Sequence, residues 1–94
     1  MAEYTIETLE EALTKHLGDE LPENALSDIH QAIKIAEHLE TRGYTFELKD
    51  LSRGSMTETN WRAILVKDGK DFAGESDHAA LAVCVAAADA LESE

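Results

Sequence analysis

The spacing of apolar residues changes along the chain and predicts two helices, then three strands, then a last helix. In residues 5–17, apolar side chains recur every three or four positions, as in a helix with one buried face. The members of this stripe are Ile6, Leu9, Ala12, Leu13 and Leu17. Thr5 can cap the start of this helix, and Gly18 suits the left-handed conformation that often follows a helix end. A polar break containing Pro22 is expected to follow.

A second helix is predicted over residues 27–42, with Ser27 as its N-cap and Gly43 at its end. Its buried face is expected to comprise Ile29, Ala32, Ile33, Ala36 and Leu39, again at steps of three and four residues. Over residues 44–49, apolar and polar residues alternate, which is typical of a strand with one buried face. The pattern therefore predicts a change from helix to strand at Gly43.

A second strand is predicted over residues 60–67, and apolar residues occur on both of its faces. We therefore expect it to be the central strand, or a strand that is covered on each side. Asp68 and Gly69 form a dipeptide favoured in type I′ turns, which predicts a tight hairpin. The third strand is expected to be short, over residues 70–73, and to end at Gly74.

Ser76 or Asp77 is expected to cap a last helix that reaches Leu91. The predicted inward stripe of this helix comprises Leu81, Cys84, Val85, Ala88 and Leu91. The element order α-α-β-β-β-α predicts one α+β domain over residues 1–94, with a three-stranded antiparallel meander packed against helices. Its sandwich-like core is expected to span about residues 27–91.

Several short motifs of this core resemble those of the small phage and prophage domains called ABA sandwiches. The motifs are Gly43-Tyr44, Trp61-x-Ala63, Lys67-x-Gly69-Lys70, Ala73-x-x-x-Asp77 and Leu81-Ala82-Val83-Cys84-x-Ala86-Ala87. The resemblance leaves the helix at residues 5–17 outside it, and it assigns no catalytic residue because the family is mostly uncharacterised. It implies an origin in phage or mobile DNA, where small acidic proteins often counter host defences, anti-CRISPR proteins among them.

The formal net charge of −12 is concentrated at the two ends of the chain. Residues 1–28 hold eight acidic residues and one basic residue, and residues 71–94 hold six acidic residues and no basic one. Such a chain repels DNA, RNA and anionic lipid, because it has no basic stripe to displace phosphate counterions. We therefore expect no direct nucleic-acid partner and no membrane partner, and an attraction for basic protein surfaces.

The compartment predicted from the sequence is the cytoplasm of a host cell. The one cysteine cannot form an internal disulfide bridge. The chain has no apolar stretch near the ~20 residues of a membrane span, and its acidic start is unlike a secretory signal.

Carboxylates of the first helix are predicted to line the side opposite its leucines. Glu3, Glu7, Glu10 and Glu11 fall at i, i+4, i+7 and i+8. Carboxylates one helical turn apart, about 5–6 Å, approach the ~7 Å scale of phosphates along one nucleic-acid strand. The predicted partner-binding residues are Glu3, Glu7, Glu10, Glu11, Asp19, Glu20 and Glu23. The alternative is an ordinary solvated helix face that confers solubility.

The histidines and the cysteine could in principle bind a metal or take part in catalysis, but their sequence contexts favour structural roles. His30 and His38 lie four residues on either side of Lys34, whose positive charge repels a metal ion, so no metal or other cofactor is expected. Cys84 lies in an apolar stripe and is predicted to be a small buried hydrophobic residue. No phosphate-binding loop or catalytic triad motif is present, so the chain is expected not to be an enzyme.

The sequence thus predicts a non-enzymatic, phage-type acidic protein that binds a basic, nucleic-acid-binding surface of a host protein. Inhibition of a nucleic-acid-handling defence complex by nucleic-acid mimicry, as in anti-CRISPR proteins, is the expected outcome. Two alternatives stay open. One is an accessory or structural phage protein that forms a homodimer through its alanine-rich helix at residues 79–91. The other is a small-molecule-binding domain with a pocket around Trp61 and the loop at residues 52–59; the chain is expected to be a monomer or a homodimer.

Overall fold

The computed structural model describes residues 5–50 and 60–93. Within these ranges the chain forms three α-helices and one three-stranded antiparallel sheet, in the order α-α-β-β-β-α, which confirms the predicted α+β fold. The elements are α1 (Ile6–Leu17), α2 (Ile29–Glu40), β1 (Thr45–Asp50), β2 (Trp61–Lys67), β3 (Lys70–Ser76) and α3 (Ala79–Glu92). A single 3₁₀ turn at Gly18–Glu20 follows α1.

Helix α1 begins and ends at the residues that its sequence predicts. The hydroxyl of Thr5 accepts a hydrogen bond from the Thr8 amide at 3.2 Å, and the Thr8 hydroxyl accepts one from the Thr5 amide at 2.8 Å. This reciprocal capping satisfies two amides that the first helical turn leaves without partners. Gly18 ends the helix at φ 55° and ψ −122°, so its φ is positive as expected but its conformation is not the predicted left-handed helical one. One member of the predicted apolar stripe is not buried, because Ile6 is 61% exposed.

Helix α2 starts later than predicted, and Asp28 rather than Ser27 is its N-cap. The Asp28 carboxylate accepts a hydrogen bond from the His30 amide at 2.9 Å. A carboxylate at this position also interacts favourably with the positive end of the helix dipole. The buried residues of the helix are Ala32, Ile35, Ala36 and Leu39. The predicted Ile29 and Ile33 are only half-buried, because α2 turns the Ile35 side toward α3 and β1.

The hairpin between β2 and β3 forms at the predicted dipeptide. Asp68 and Gly69 have φ angles of 53° and 79°, and Lys67 pairs with Lys70 across the turn. Two consecutive positive φ angles match the type I′ turn, whose twist suits the two strands. The sheet order is β1-β2-β3, so β2 is the central strand, as predicted.

Strand β3 continues through Gly74 to Ser76, so the prediction that Gly74 ends the strand is wrong. Gly74 lies opposite Ala63 in the register and directly beneath α3. A Cβ atom at this position would lie 2.7 Å from the Ala86 amide nitrogen and 2.8 Å from the Val85 Cβ. The glycine therefore allows a helix and a strand to approach closely instead of stopping the strand.

Helix α3 is buried on nearly all sides, so the single inward stripe predicted for it is too narrow. It packs against β2 and β3 on one side and against α1 and α2 on the other. Its buried residues are Ala80, Ala82, Val83, Cys84, Ala86, Ala87, Ala88, Ala90 and Leu91. The predicted Leu81 and Val85 are half-buried. The alanines let backbones on every side come close, which explains why this helix is so rich in small residues.

The start of α3 also differs from the prediction. His78 is the N-cap residue and makes no side-chain capping hydrogen bond, whereas Ser76 and Asp77 precede it. The Ser76 hydroxyl nevertheless accepts a hydrogen bond from the His78 amide at 3.2 Å. A side chain outside the helix thus holds the turn that leads into it.

The helices cover one face of the sheet and leave the other open. Residues on the covered face include Ala63 and Leu65, which are fully buried. The open face carries Thr45, Glu47, Lys49, Arg62, Ile64, Val66, Asp71, Ala73 and Glu75, which are exposed or half-buried. This distribution of polar and apolar residues is typical of an antiparallel sheet with one solvated face.

Candidate functional site

Three of the predicted partner-binding carboxylates lie together on the outer side of α1. Glu7, Glu10 and Glu11 are exposed, and with Thr14 and Lys15 they surround a shallow surface depression. Lys15 is the one basic side chain of that group, and its Nζ atom lies 3.9 Å from the Glu92 Oε2 atom. Lys15 also lies four residues after Glu11, so it offsets part of the negative charge of the three carboxylates. Glu3 lies outside the described residues.

The three acidic residues predicted after α1 differ in their surroundings. Asp19, Glu20 and Glu23 are all exposed. The Oε2 atom of Glu20 lies 3.0 Å from the Nε2 atom of His38 in α2. That nitrogen makes no hydrogen bond within the described part of the chain, so the two side chains are in close contact across two elements, and the contact is ionic only when the imidazole is protonated. Glu20 therefore faces α2, whereas Glu23 lines a groove beside α1.

This groove of about 710 Å³ runs along α1 and is closed on its other side by the loop at residues 21–27. The start of α3 contributes the third wall. The lining residues are Ile6, Glu10, Gly18, Leu21, Pro22, Glu23, Asn24, Leu26, Ser27, His78 and Leu81. The groove thus combines an apolar surface with two of the predicted carboxylates, Glu10 and Glu23.

The groove was not predicted, because its apolar residues follow no helical or strand period. Leu21 and Pro22 fall in the segment at residues 19–24 interpreted as a polar break, and Leu26 lies between that segment and the predicted second helix. Their side chains are half-buried in the structure. The available signal was the presence of two leucines in an otherwise polar loop, since exposed loops rarely need large apolar side chains.

The described acidic residues near the end of the chain lie in different places relative to α1. Glu92 does adjoin α1, because its Oε2 atom lies 3.5 Å from the His16 Nε2 atom as well as near Lys15. Asp71 and Glu75, in contrast, lie on the open face of the sheet, which is turned away from the helices. Of these three acidic residues, Glu92 therefore lies beside α1, whereas the other two lie on the open face.

Of the histidines and the cysteine, Cys84 lies in the position expected of a structural residue. Among residues 5–50 and 60–93, no group of three or more His, Cys, Asp or Glu side chains is placed to hold a metal ion. Cys84 is fully buried, which confirms its predicted role as a core residue. Its Sγ atom donates a hydrogen bond to the Ala25 carbonyl at 3.4 Å, which links α3 to the loop beside the groove.

Burial raises the pKa of the Cys84 thiol to about 12. Because the thiolate is the reactive form, we expect native Cys84 to react with a disulfide reagent at about pH 8 at least ~100-fold more slowly than the unfolded chain. The measurement is the rate of colour release with and without denaturant. A Cys84→Ala/Ser93→Cys variant, which places the thiol at an exposed position, is the control and should react quickly in the native state. Equal reaction rates of the native wild-type chain and the native control variant would contradict the burial of Cys84.

The same shift sets a pH dependence of stability. The neutral thiol is favoured in the folded state, and the ordinary pKa of a thiol is 9.0. As pH rises from 9.0 toward about 12, the unfolded chain therefore loses its thiol proton first and the free energy of unfolding falls. Below pH 9.0 the contribution of the Cys84 thiol to the free energy of unfolding is fully present. The variant Cys84→Ala should therefore lack the part of the decrease in stability above pH 9.0 that is due to this thiol.

The structure describes only part of the surfaces proposed by the two alternatives. Most of the alanine-rich helix, α3, packs inside the domain, and Leu81 and Val85 are among its half-buried residues. Trp61 is half-buried on the covered face of the sheet, and residues 52–59 lie outside the described part of the chain.

No family model matches the chain, and comparisons with curated proteins and with solved structures find no match. The resemblance to ABA sandwich domains therefore stays a prediction. In the described ranges 5–50 and 60–93, none of the helices has the length and apolar character needed to span a bilayer.

Proposed function

We propose that the chain is a non-enzymatic binding protein whose acidic N-terminal surface engages a basic site on another protein. The supporting observation is the cluster of Glu7, Glu10 and Glu11, exposed together on one side of α1. The single nearby cation, Lys15, faces Glu92. We call these three carboxylates the acidic face of α1. Complementary charge of this kind accelerates association and selects partners by sign.

The spacing of the carboxylates supports a nucleic-acid-binding protein as the class of partner. Positions one turn apart on a helix are separated by about 5–6 Å, which approaches the scale of neighbouring phosphates on a nucleic-acid strand. A groove that holds DNA or RNA through Lys and Arg would therefore accept the acidic face as a substitute for phosphates. Binding would exclude nucleic acid by competition and inhibit the protein that handles it.

The biological setting rests on the sequence resemblance. A phage origin favours a host defence complex in the cytoplasm as the target, as for anti-CRISPR proteins. The net charge of −12 opposes direct binding of the chain to nucleic acid, which supports a protein as the target.

Capture from a bacterial lysate in the presence of competitors tests the proposal. The immobilised chain should retain a nucleic-acid-binding protein, and added duplex DNA or single-stranded RNA should release it because both occupy the same basic site. Retention should also fall as the salt concentration is raised, since exposed charge pairs are screened. A partner that is held equally well with excess nucleic acid and at high salt would contradict the proposal.

A further inference from the structure

We propose that the groove beside α1 is an anchoring site for a protein segment that carries a large apolar side chain between Lys or Arg residues. This inference rests on the proposed function, and it specifies where the partner docks and what chemistry the docked segment has. The acidic face of α1 supplies attraction, and the groove supplies the apolar contact that attraction alone lacks.

Within residues 5–50 and 60–93, no side chain covers the apolar part of the groove. Ile6 is 61% exposed and is the one large apolar side chain classed as exposed among the described residues. Leu21, Leu26 and Leu81 line the same groove and are packed against the core on their inner sides. A side chain that enters between them would cover apolar surface on both partners, which is the main favourable contribution to association.

The wall opposite α1 is held in place before any partner binds. Asn24 has a φ angle of 59°, and its carbonyl accepts hydrogen bonds from the Ser27 and Asp28 amides at 3.0 and 2.8 Å. Between them, Ala25 is buried and its carbonyl accepts the Cys84 hydrogen bond. A preformed wall lowers the entropic cost of ordering a loop on binding.

The charges around the groove select the occupant. Glu10 and Glu23 line it, Glu7 and Glu11 lie on the adjoining side of α1, and none of its lining residues is Lys or Arg. Long basic side chains fit this arrangement, because their methylene stems cover apolar surface while their charged ends reach carboxylates. The volume of about 710 Å³ accommodates more than one side chain, so a short segment fits better than a single residue.

The test compares two peptides of equal charge. The probes are acetyl-Lys-Arg-Leu-Leu-Arg-Lys-amide and the same peptide with two serines in place of the leucines, titrated into the full chain by calorimetry. The leucine peptide should bind at least about tenfold more tightly, which corresponds to about 1.4 kcal/mol. Raising the salt concentration should weaken the binding of both peptides and leave the ratio of their affinities unchanged, because screening acts on the charges alone.

Ile6→Ser should abolish the preference for leucine and leave binding of the serine peptide unchanged. The matched control is Ile64→Ser, on the open face of the sheet, which should keep the preference; both variants are checked for unchanged folding by circular dichroism. Equal binding of the two peptides by the wild-type chain would overturn the anchoring groove while the acidic-surface proposal stands. Failure of both peptides to bind at low salt would contradict both proposals.

Light scattering adds one more outcome. The chain should be monomeric at the concentrations used for titration. A dimer that Ile6→Ser dissociates would overturn the inference, because a second copy would then occupy the groove.

Discussion

Gly74→Ala is expected to lower the free energy of unfolding by about 3 kcal/mol, which is large for a domain of this size. The added Cβ would meet the Ala82 carbonyl oxygen and lie 2.7 Å from the Ala86 amide nitrogen. These are backbone atoms of α3, so relief requires the whole helix to move away from β3. Alanine in an unobstructed strand would instead be neutral or stabilising, because glycine loses more entropy on folding. The sign of the effect therefore reports the close packing of the two elements.

Thermal unfolding followed by circular dichroism measures this effect, and a decrease in Tm of about 10–20 °C is expected. The matched control is Ala73→Val, one residue earlier in β3 and exposed on the open face. Its effect should stay within about 0.5 kcal/mol, as for most surface substitutions. A Gly74→Ala variant that is as stable as the wild type would show that α3 does not lie against β3 at this position.

The elements that the sequence predicts well are those fixed by local chemistry. The Thr5 cap, the positive φ of Gly18 and the Asp68-Gly69 turn each depend on a few neighbouring residues. Apolar residues on both faces of β2 predicted either a central strand or a strand covered on each side, and β2 is the central strand. In each case the information lies within one short segment, so no knowledge of distant contacts was required.

The elements predicted less well depend on packing between distant segments. The local sequence around Gly74 predicts the end of a strand. The glycine lies within β3 because α3 packs so closely there that a side chain would not fit. The nearly complete burial of α3 follows from its position between the sheet and two helices. Ile6 belongs to the apolar period of α1, yet the neighbouring loop does not cover it.

The candidate site also combines features that depend on one short segment with features that depend on contacts between distant segments. The shared exposure of Glu7, Glu10 and Glu11 follows from helical spacing alone. The contact of Glu20 with His38 and the groove beside Glu23 join segments that no periodic pattern connects. Sequence reasoning therefore identified the charge of the surface and missed its apolar component.

Charge reversal on the acidic face is expected to have the largest effect on binding. In the variant Glu7→Lys/Glu10→Lys/Glu11→Lys, three attractive contacts with a basic partner become repulsive. We expect the affinity for the captured partner to fall at least ~100-fold, or about 2.7 kcal/mol, because charge pairs at interfaces contribute on the order of 1.5 kcal/mol or more each. The fold should persist, since all three side chains are exposed.

The matched control is Glu37→Lys/Glu40→Lys/Glu75→Lys, which reverses three exposed carboxylates that line neither the acidic face nor the groove. Both variants carry the same net charge, so any difference between them reports the position of the charges and not their sum. The salt dependence of binding should also be shallower for the acidic-face variant than for the control.

The most direct measurement is the dissociation constant of the captured partner for the wild-type chain and for these two variants in one buffer. An N-terminal acidic surface that substitutes for phosphates predicts a large loss of affinity for the α1 variant and near wild-type affinity for the control. Equal affinities of the two variants would contradict it, because net charge alone would then account for binding.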